Sequence, residues 1–352
     1  MKQSPNDLKH KILFRIVPLI LLVITLGNFV WHAYSYRKDI FAKFNYSYWT
    51  YRYNHSQWSS SIKCLVTDPH INPYTCIWDD NWYQAHKTIL PQFKKISIGD
   101  DGLYAYAGYA YIKGKDPTLL NAELPPFGKY MVGIFELTTG MMGTFSLFFT
   151  GLSLLLLFFF TKKVTKSTLI ASMSTMLFSF EPLVIEQMRA PYLDTLYLSA
   201  FLLTALLFLN KKYFLSGIVL GLFMSIKSPF LGVLVLLVYT GSLFLSKEKF
   251  IKTIALIIVT ACLTYVATYM RTFFLGHNLL YFFTVQKYII HFYSTGAKGV
   301  IGAVVPMLLQ GKWFTWFSPV SSVSEWTLWW VVCFFYSQKR KHRSCGFSFY
   351  GW

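Results

Sequence analysis

Charged side chains make up only 14% of this 352-residue chain, and acids are the rarer kind, with 15 Asp and Glu against 33 Lys and Arg. A soluble globule carries about a quarter charged residues, so an ordinary water-soluble fold is excluded. Cysteine is sparse, at 5 residues, and no Cys or His spacing suits zinc. No internal repeat is visible, which argues against the common transporter architectures built from paired broken helices. No small-residue cleavage site follows the first hydrophobic run, so that run is not read as a removable signal peptide. The net charge of +18 might be expected to serve nucleic acid, yet the basic residues form no reading motif, and no nucleic-acid partner is expected.

What is present is apolar: 54% hydrophobic and 19% aromatic residues, in long uncharged runs. That composition predicts an all-α, polytopic integral membrane protein. Runs at 12–31, 142–161, 167–187, 192–209, 213–226, 229–246, 252–275 and 326–338 give eight expected helices. The chain reads as a single membrane domain, 1–352. A first helix, 12–31, is followed by a long external loop, 32–141, carrying short helices, and by helices two to seven within 142–275. An external interfacial segment, 276–325, then precedes the last helix and a basic cytoplasmic tail, 326–352.

The loops set the orientation. Lys2, Lys9, Lys11 and Arg15 precede the first run, and Lys162, Lys163, Lys166, Lys211, Lys212, Lys247, Lys249, Lys252, Lys339, Arg340, Lys341 and Arg343 occupy the expected cytoplasmic turns. This is the positive-inside pattern. Asp100, Asp101, Arg189, Asp194, Lys227 and Arg271 then fall on the non-cytoplasmic side. That face belongs to the plasma membrane in a prokaryote and to the endoplasmic reticulum in a eukaryote.

The external loop holds Cys64 and Cys76, read either as a disulfide or as two thiols, while Cys262 and Cys333 lie in hydrophobic runs as apolar side chains. Asn45-Tyr46-Ser47 and Asn54-His55-Ser56 are formal glycosylation acceptors. The segment Gly99 to Lys129 combines adjacent acids, a Tyr-rich run with helical spacing and a Pro-Pro-x-Gly-Lys turn. Asp100 and Asp101 suit a helix N-terminus, where carboxylates complement the macrodipole. Arg189 and Asp194 could tie one outer hairpin by a salt bridge, and Lys227 could simply snorkel to the interface. Ionisable groups at the ends of membrane helices are costly, and a functional reading stands beside each of these.

Five motifs occur in order: Asp100-Asp101, Tyr104-Ala105-Tyr106-Ala107, Leu124-Pro125-Pro126-Phe127-Gly128-Lys129, Met188-Arg189 followed by Asp194, and Gly221-Leu222 followed by Lys227. Together, over roughly residues 95 to 235, they resemble the GT-C membrane glycosyltransferases, and among them the protein O-mannosyltransferases and their bacterial relatives. The resemblance implies transfer of a mannose-like hexose from a polyprenyl-phosphate sugar to a hydroxyl, on protein Ser/Thr or on a lipid or glycan. It places Asp100 as general base, with Asp101 on the Glu of the family's acidic pair. Leu124 stands where the family has His. Asp79-Asp80 is a rival acidic pair without the downstream turn.

Such a reaction needs a carboxylate to take the acceptor's proton and cations to hold the leaving phosphate. Lys129, Arg189 and Lys227 are the candidate phosphate ligands, and Asp194, Glu123 and His291 the supporting residues. No cofactor is called for; a divalent cation at the phosphate stays an open alternative. One base without an enzyme nucleophile implies inversion. The segment Tyr281 to Trp316, with Gln286, Lys287, Lys298, Lys312 and Trp313, reads as an interfacial anchor or as a wall of the substrate groove. The final KRKHRSCGFSFYGW has no packing pattern and suggests a truncation or a shifted frame. A transporter and an inactive subunit of the same fold remain the competing functions.

Overall fold

The computed structural model describes residues 5–54, 98–246, 250–296, 313–314 and 319–320, with side chains from residue 16 onward. The chain divides into two units, Met1–Ile289 and Ile290–Trp352. The first is all-helical among the described residues. Its elements are α1 (Pro5–Ser35), α2 (Arg37–Ile40), α3 (Tyr46–Asn54), α4 (Asp100–Ile112), α5 (Phe127–Thr139), α6 (Thr144–Thr165) and α7 (Thr168–Ser179). They continue with α8 (Pro182–Gln187), α9 (Asp194–Leu209), α10 (Tyr213–Met224), α11 (Pro229–Leu245), α12 (Phe250–Ala267), α13 (Met270–Phe274) and α14 (Leu279–Gly296). In the second unit the described strands are β1 (Trp313–Phe314) and β2 (Pro319–Val320), an antiparallel pair with Trp313 opposite Val320.

Among the described residues, three helical stretches are long and apolar enough to cross a membrane: Ile16–Ser35, Thr144–Thr165 and Phe250–Ala267. The helices α7, α9, α10 and α11 and residues Leu279–Ile290 are apolar but shorter. The expected run 167–187 is two helices. Phe180 closes the first, Glu181 is extended, and Pro182 restarts the chain at the first turn of α8. A proline is tolerated there because its missing N–H would be unpaired anyway, and it forces the preceding residue out of helical geometry. The run 252–275 is also two helices, α12 and α13, separated by Thr268 and Tyr269 without a proline. The segment expected to lie along the interface from residue 276 carries the helix α14. The expected last helix, 326–338, and the tail lie outside the described residues.

Within the apolar bundle, hydroxyls carry the polar contacts between helices. Ser153 Oγ on α6 lies 2.8 Å from Ser199 Oγ on α9, and Ser199 donates to the Phe149 carbonyl at 3.0 Å. Lower on α9, Thr204 donates to the Ser216 carbonyl at 2.9 Å and Ser216 to that of Thr204 at 3.0 Å. In hydrocarbon a polar group must find its partner inside the protein, and small hydroxyl residues do so while letting helices approach.

The helices α4 and α5 approach most closely. A Cβ added at Gly133 would stand 2.1 Å from the Gly108 carbonyl oxygen, so only glycine permits this crossing. Backbone hydrogen bonds fix the segment that follows α2. Gly143 N–H donates to the Ile40 carbonyl, Met142 N–H to Ala42 and Phe44 N–H to Gly140, each at 3.0 Å, which joins α2 to the turn between α5 and α6.

Candidate functional site

Gly99 is extended and precedes a first turn containing both acids, so α4 begins where the sequence predicts it. Asp100 keeps solvent-exposed surface while protein crowds its carboxyl from within. That desolvation raises its pKa above the usual carboxylate range; the Lys227 ammonium and a hydrogen bond from Tyr104 oppose the rise, and Asp194 and Asp101 add to it. Tyr104 lies one helical turn beyond Asp100 and is buried. Asp101 is half-buried in the same turn.

Lys227 owes its place to a break in the chain. α10 ends at Met224, Ser228 is extended, and Pro229 opens α11, so residues 225–228 form a short irregular bridge. Neighbours satisfy its backbone: the Ser225 carbonyl accepts from Phe127 N–H at 2.9 Å, and that of Ser228 from the Tyr197 hydroxyl at 3.0 Å. From this bridge the Lys227 ammonium reaches Asp194 Oδ1 at 2.6 Å, at the first residue of α9. The two side chains remain 33% and 43% exposed, so a ligand can reach the pair.

Below Asp194 an open groove of about 580 Å3 runs between α6, α9, α10 and α11. Phe160, Phe201, Phe208, Leu234 and Val238 are among its walls, and Asp194 is the acid at its lining. A smaller cavity of about 230 Å3 reaches Asp194 from the other side, against Phe178, Leu183, Val184 and Gln187.

No family model, curated protein or solved structure matches the chain. The site therefore has to be read from its own chemistry.

Arg189 does not pair with Asp194. Its Nη2 lies 3.1 Å from Asp39 Oδ2 and its Nη1 3.0 Å from Glu186, while the guanidinium sits over the Tyr36 ring at 4.8 Å. Hydrogen bonds to Glu186 and Asp39 strengthen its hold on the proton. A phosphate would have to displace two carboxylates to be gripped by it. Asp194, expected either to orient Arg189 or to hold the pocket, orients Lys227 instead.

Lys129 differs more. It is 0% exposed, and its ammonium donates to the carbonyls of Asn121 and Leu124, the latter at 2.8 Å, and to Asn121 Oδ1 at 3.2 Å. Three acceptors for three N–H bonds leave none for a phosphate. Burial pulls the Lys129 pKa down, opposed by the Glu123 carboxylate, and burial pushes Glu123 up, opposed by Lys129. Glu123 accepts from the Asn121 amide. Asn121 itself adopts φ 53°, a left-handed conformation that Asn tolerates better than most residues. The expected phosphate ligand is thus the tie that holds the 121–124 turn on α5.

Glu123 is buried, and the Asp100 carboxylate adds a small further rise to its pKa, so the two acids feel each other's charge. His291 lies on α14, but its side chain is outside the described residues, as are Asp79, Asp80, Cys64, Cys76, Lys298, Lys312 and Trp316. Among the described residues no three His, Cys, Asp or Glu side chains gather to hold a metal. Sequence reasoning named Tyr104 only as part of the aromatic motif; its spacing of four from Asp100 on a helix was the available signal for the pairing. It passed over Asp39, for which a partner 150 positions away left no signal.

Proposed function

We propose that the chain is an inverting membrane glycosyltransferase that moves a mannose-like hexose from a polyprenyl-phosphate carrier to a hydroxyl, with protein Ser/Thr as the favoured acceptor. The observation that carries this reading is a single juxtaposition. An accessible ammonium, Lys227, is paired at 2.6 Å with Asp194 at the lining of an open apolar groove, and Asp100, whose pKa burial raises, lies within the electrostatic reach of both.

In this reading the carrier's hydrocarbon chain lies in the groove, among side chains that offer it no polar competitor. Its phosphate meets Lys227, held in place by Asp194. The acceptor hydroxyl approaches Asp100, which takes its proton as the new bond to the anomeric carbon forms and the bond to the phosphate oxygen breaks. The electron pair leaves on the phosphate, whose charge Lys227 stabilises, and the anomeric centre inverts. Desolvation makes Asp100 a stronger base, and Lys227 keeps it ionised. Tyr104 orients the carboxylate. Lys129 and Arg189 act as positioning residues, one through the 121–124 turn and one through α2 and α8.

The same reading assigns eight crossings, a long external loop over 32–141 and a site on the non-cytoplasmic face, in line with the lysine-rich turns. It is tested with purified protein in micelles, a polyprenyl phosphate carrying a radiolabelled hexose, and Ser/Thr peptides. Label is expected on the peptide with the anomeric configuration reversed. Retention of configuration, or no transfer and no donor hydrolysis across mannose, glucose and aminoarabinose donors, would overturn it.

A further inference from the structure

Away from the Asp100 cluster, a second polar assembly joins the connection between α4 and α5 to the later helices. Asp116, its side chain 4% exposed, accepts at Oδ1 from the Thr118 N–H at 2.9 Å, the Thr118 hydroxyl at 2.8 Å and the Thr272 hydroxyl at 3.0 Å. Oδ2 accepts no hydrogen bond among the described residues, and its contact with His277 Nε2, at 3.0 Å, is an ion-pair contact. The His277 ring stacks on Tyr281 at 4.0 Å, and the Tyr281 hydroxyl lies 3.0 Å from that of Thr118, closing a ring of contacts. Arg271 donates to the Gly114 carbonyl at 2.7 Å, beside this ring.

We propose that the His277–Asp116 pair is a proton-dependent latch that fastens the connection between α4 and α5 to α13 and α14. Protonated, His277 sets a positive charge 3.0 Å from Oδ2 and the connection is shut. Neutral, it leaves the buried carboxylate without that opposite charge, and the connection loosens.

The remaining ties on this connection do not respond in the same way. Arg271 keeps its charge at every physiological pH, and the Tyr111 hydroxyl, shared between the Pro117 and Leu120 carbonyls, stays neutral because burial pushes its pKa up. Lys129, whose pKa burial pulls down, is fully enclosed, whereas His277 is 35% exposed. The groups facing His277 are Asp116 from the connection and Tyr281 from α14. Lys115 next to Asp116, Arg271 on α13, and Tyr130 on α5, which feels both Asp116 and Arg271, complete its charged surroundings. The arrangement matters to the first site because the same connection continues into the turn that holds Glu123, which feels the charge of Asp100.

Hydrogen exchange of the full chain in micelles, followed by mass spectrometry of peptides spanning 113–121, tests the latch without requiring catalysis. Each rate is divided by that of the same peptide unfolded at the same pH, which removes the base catalysis of exchange. Protection in the parent is expected to fall about twofold to fivefold between pH 5.5 and 8, the range for one ion pair that is partly open to water. His277→Gln, which keeps a donor but no titration, should be flat with pH. His277→Lys, permanently charged, should remain protected at pH 8, a rescue that a purely structural histidine would not give. A flat parent profile overturns the proposal even if no variant folds. A slope that survives in His277→Gln also overturns it and transfers the effect to Lys129.

Discussion

Replacing Lys129 by Met separates a structural tie from a phosphate ligand. The substitution keeps the length of the side chain and removes the ammonium, so the Asn121 and Leu124 carbonyls lose their donor in a site that is 0% exposed. It also leaves Glu123, itself buried, facing no cation. Removing one partner of a buried charged pair costs about 3–5 kcal/mol. At about 2 °C per kcal/mol for a chain of this size, the apparent Tm should drop by roughly 6–10 °C. Adding Glu123→Gln removes the stranded carboxylate, so the double variant should recover roughly half of the loss, a coupling of about 1–3 kcal/mol. Thermal unfolding in micelles, read by tryptophan fluorescence, measures all three proteins. If Lys129→Met melted within about 1 °C of the parent, too little for a buried pair, and yet failed to bind a polyprenyl phosphate, Lys129 would be a ligand and the structural argument would fail.

Asp100→Asn keeps shape but cannot take a proton, so turnover at saturating donor should fall about 100-fold to 10,000-fold while donor binding survives; full activity in this variant would remove Asp100 from the mechanism. Because burial raises the Asp100 pKa, the acid limb of the rate profile should lie above the ordinary carboxylate range, activity being lost as pH falls through it. Lys227→Met removes the cation that opposes that rise, so the limb should move to still higher pH; an unmoved limb would mean the two groups do not interact. Arg189→Ala releases two partly exposed carboxylates and should cost only about 1 kcal/mol in stability with donor affinity unchanged. A loss of donor affinity more than tenfold, while Arg189→Lys retains it, would instead return Arg189 to the phosphate.

Local features were legible in the sequence. The acids of Gly99-Asp100-Asp101 before a helical aromatic run mark the start of α4, and Lys227 before Ser228-Pro229 marks the bridge between α10 and α11. Pro182 carried the same signal for the break after Phe180, but the apolar run 167–187 masks it when hydropathy is read by length alone. The helix at Leu279 has an ordinary helical pattern within the stretch that its aromatic content marks as interfacial. What stayed illegible depends on closure between distant residues. Lys129 reads as a free cation until the 121–124 turn folds over it, and Arg189 as a partner of nearby Asp194 until α2 brings Asp39 beside it. Charge and spacing indicate which groups are costly to bury; they do not indicate which of several partners each will find.

The hydroxyl pairs on α9 have a mechanical consequence. Near its outer end the helix is hydrogen-bonded to α6 through Ser199 and Ser153, and further along to α10 through Thr204 and Ser216. These contacts act at two heights and on two neighbours, so an axial slip of one turn, about 5.4 Å, would part both sets at once inside hydrocarbon, where no water can replace them. α9 therefore behaves as a pinned rod. Asp194 at its tip is held at a fixed height against α6 and α10.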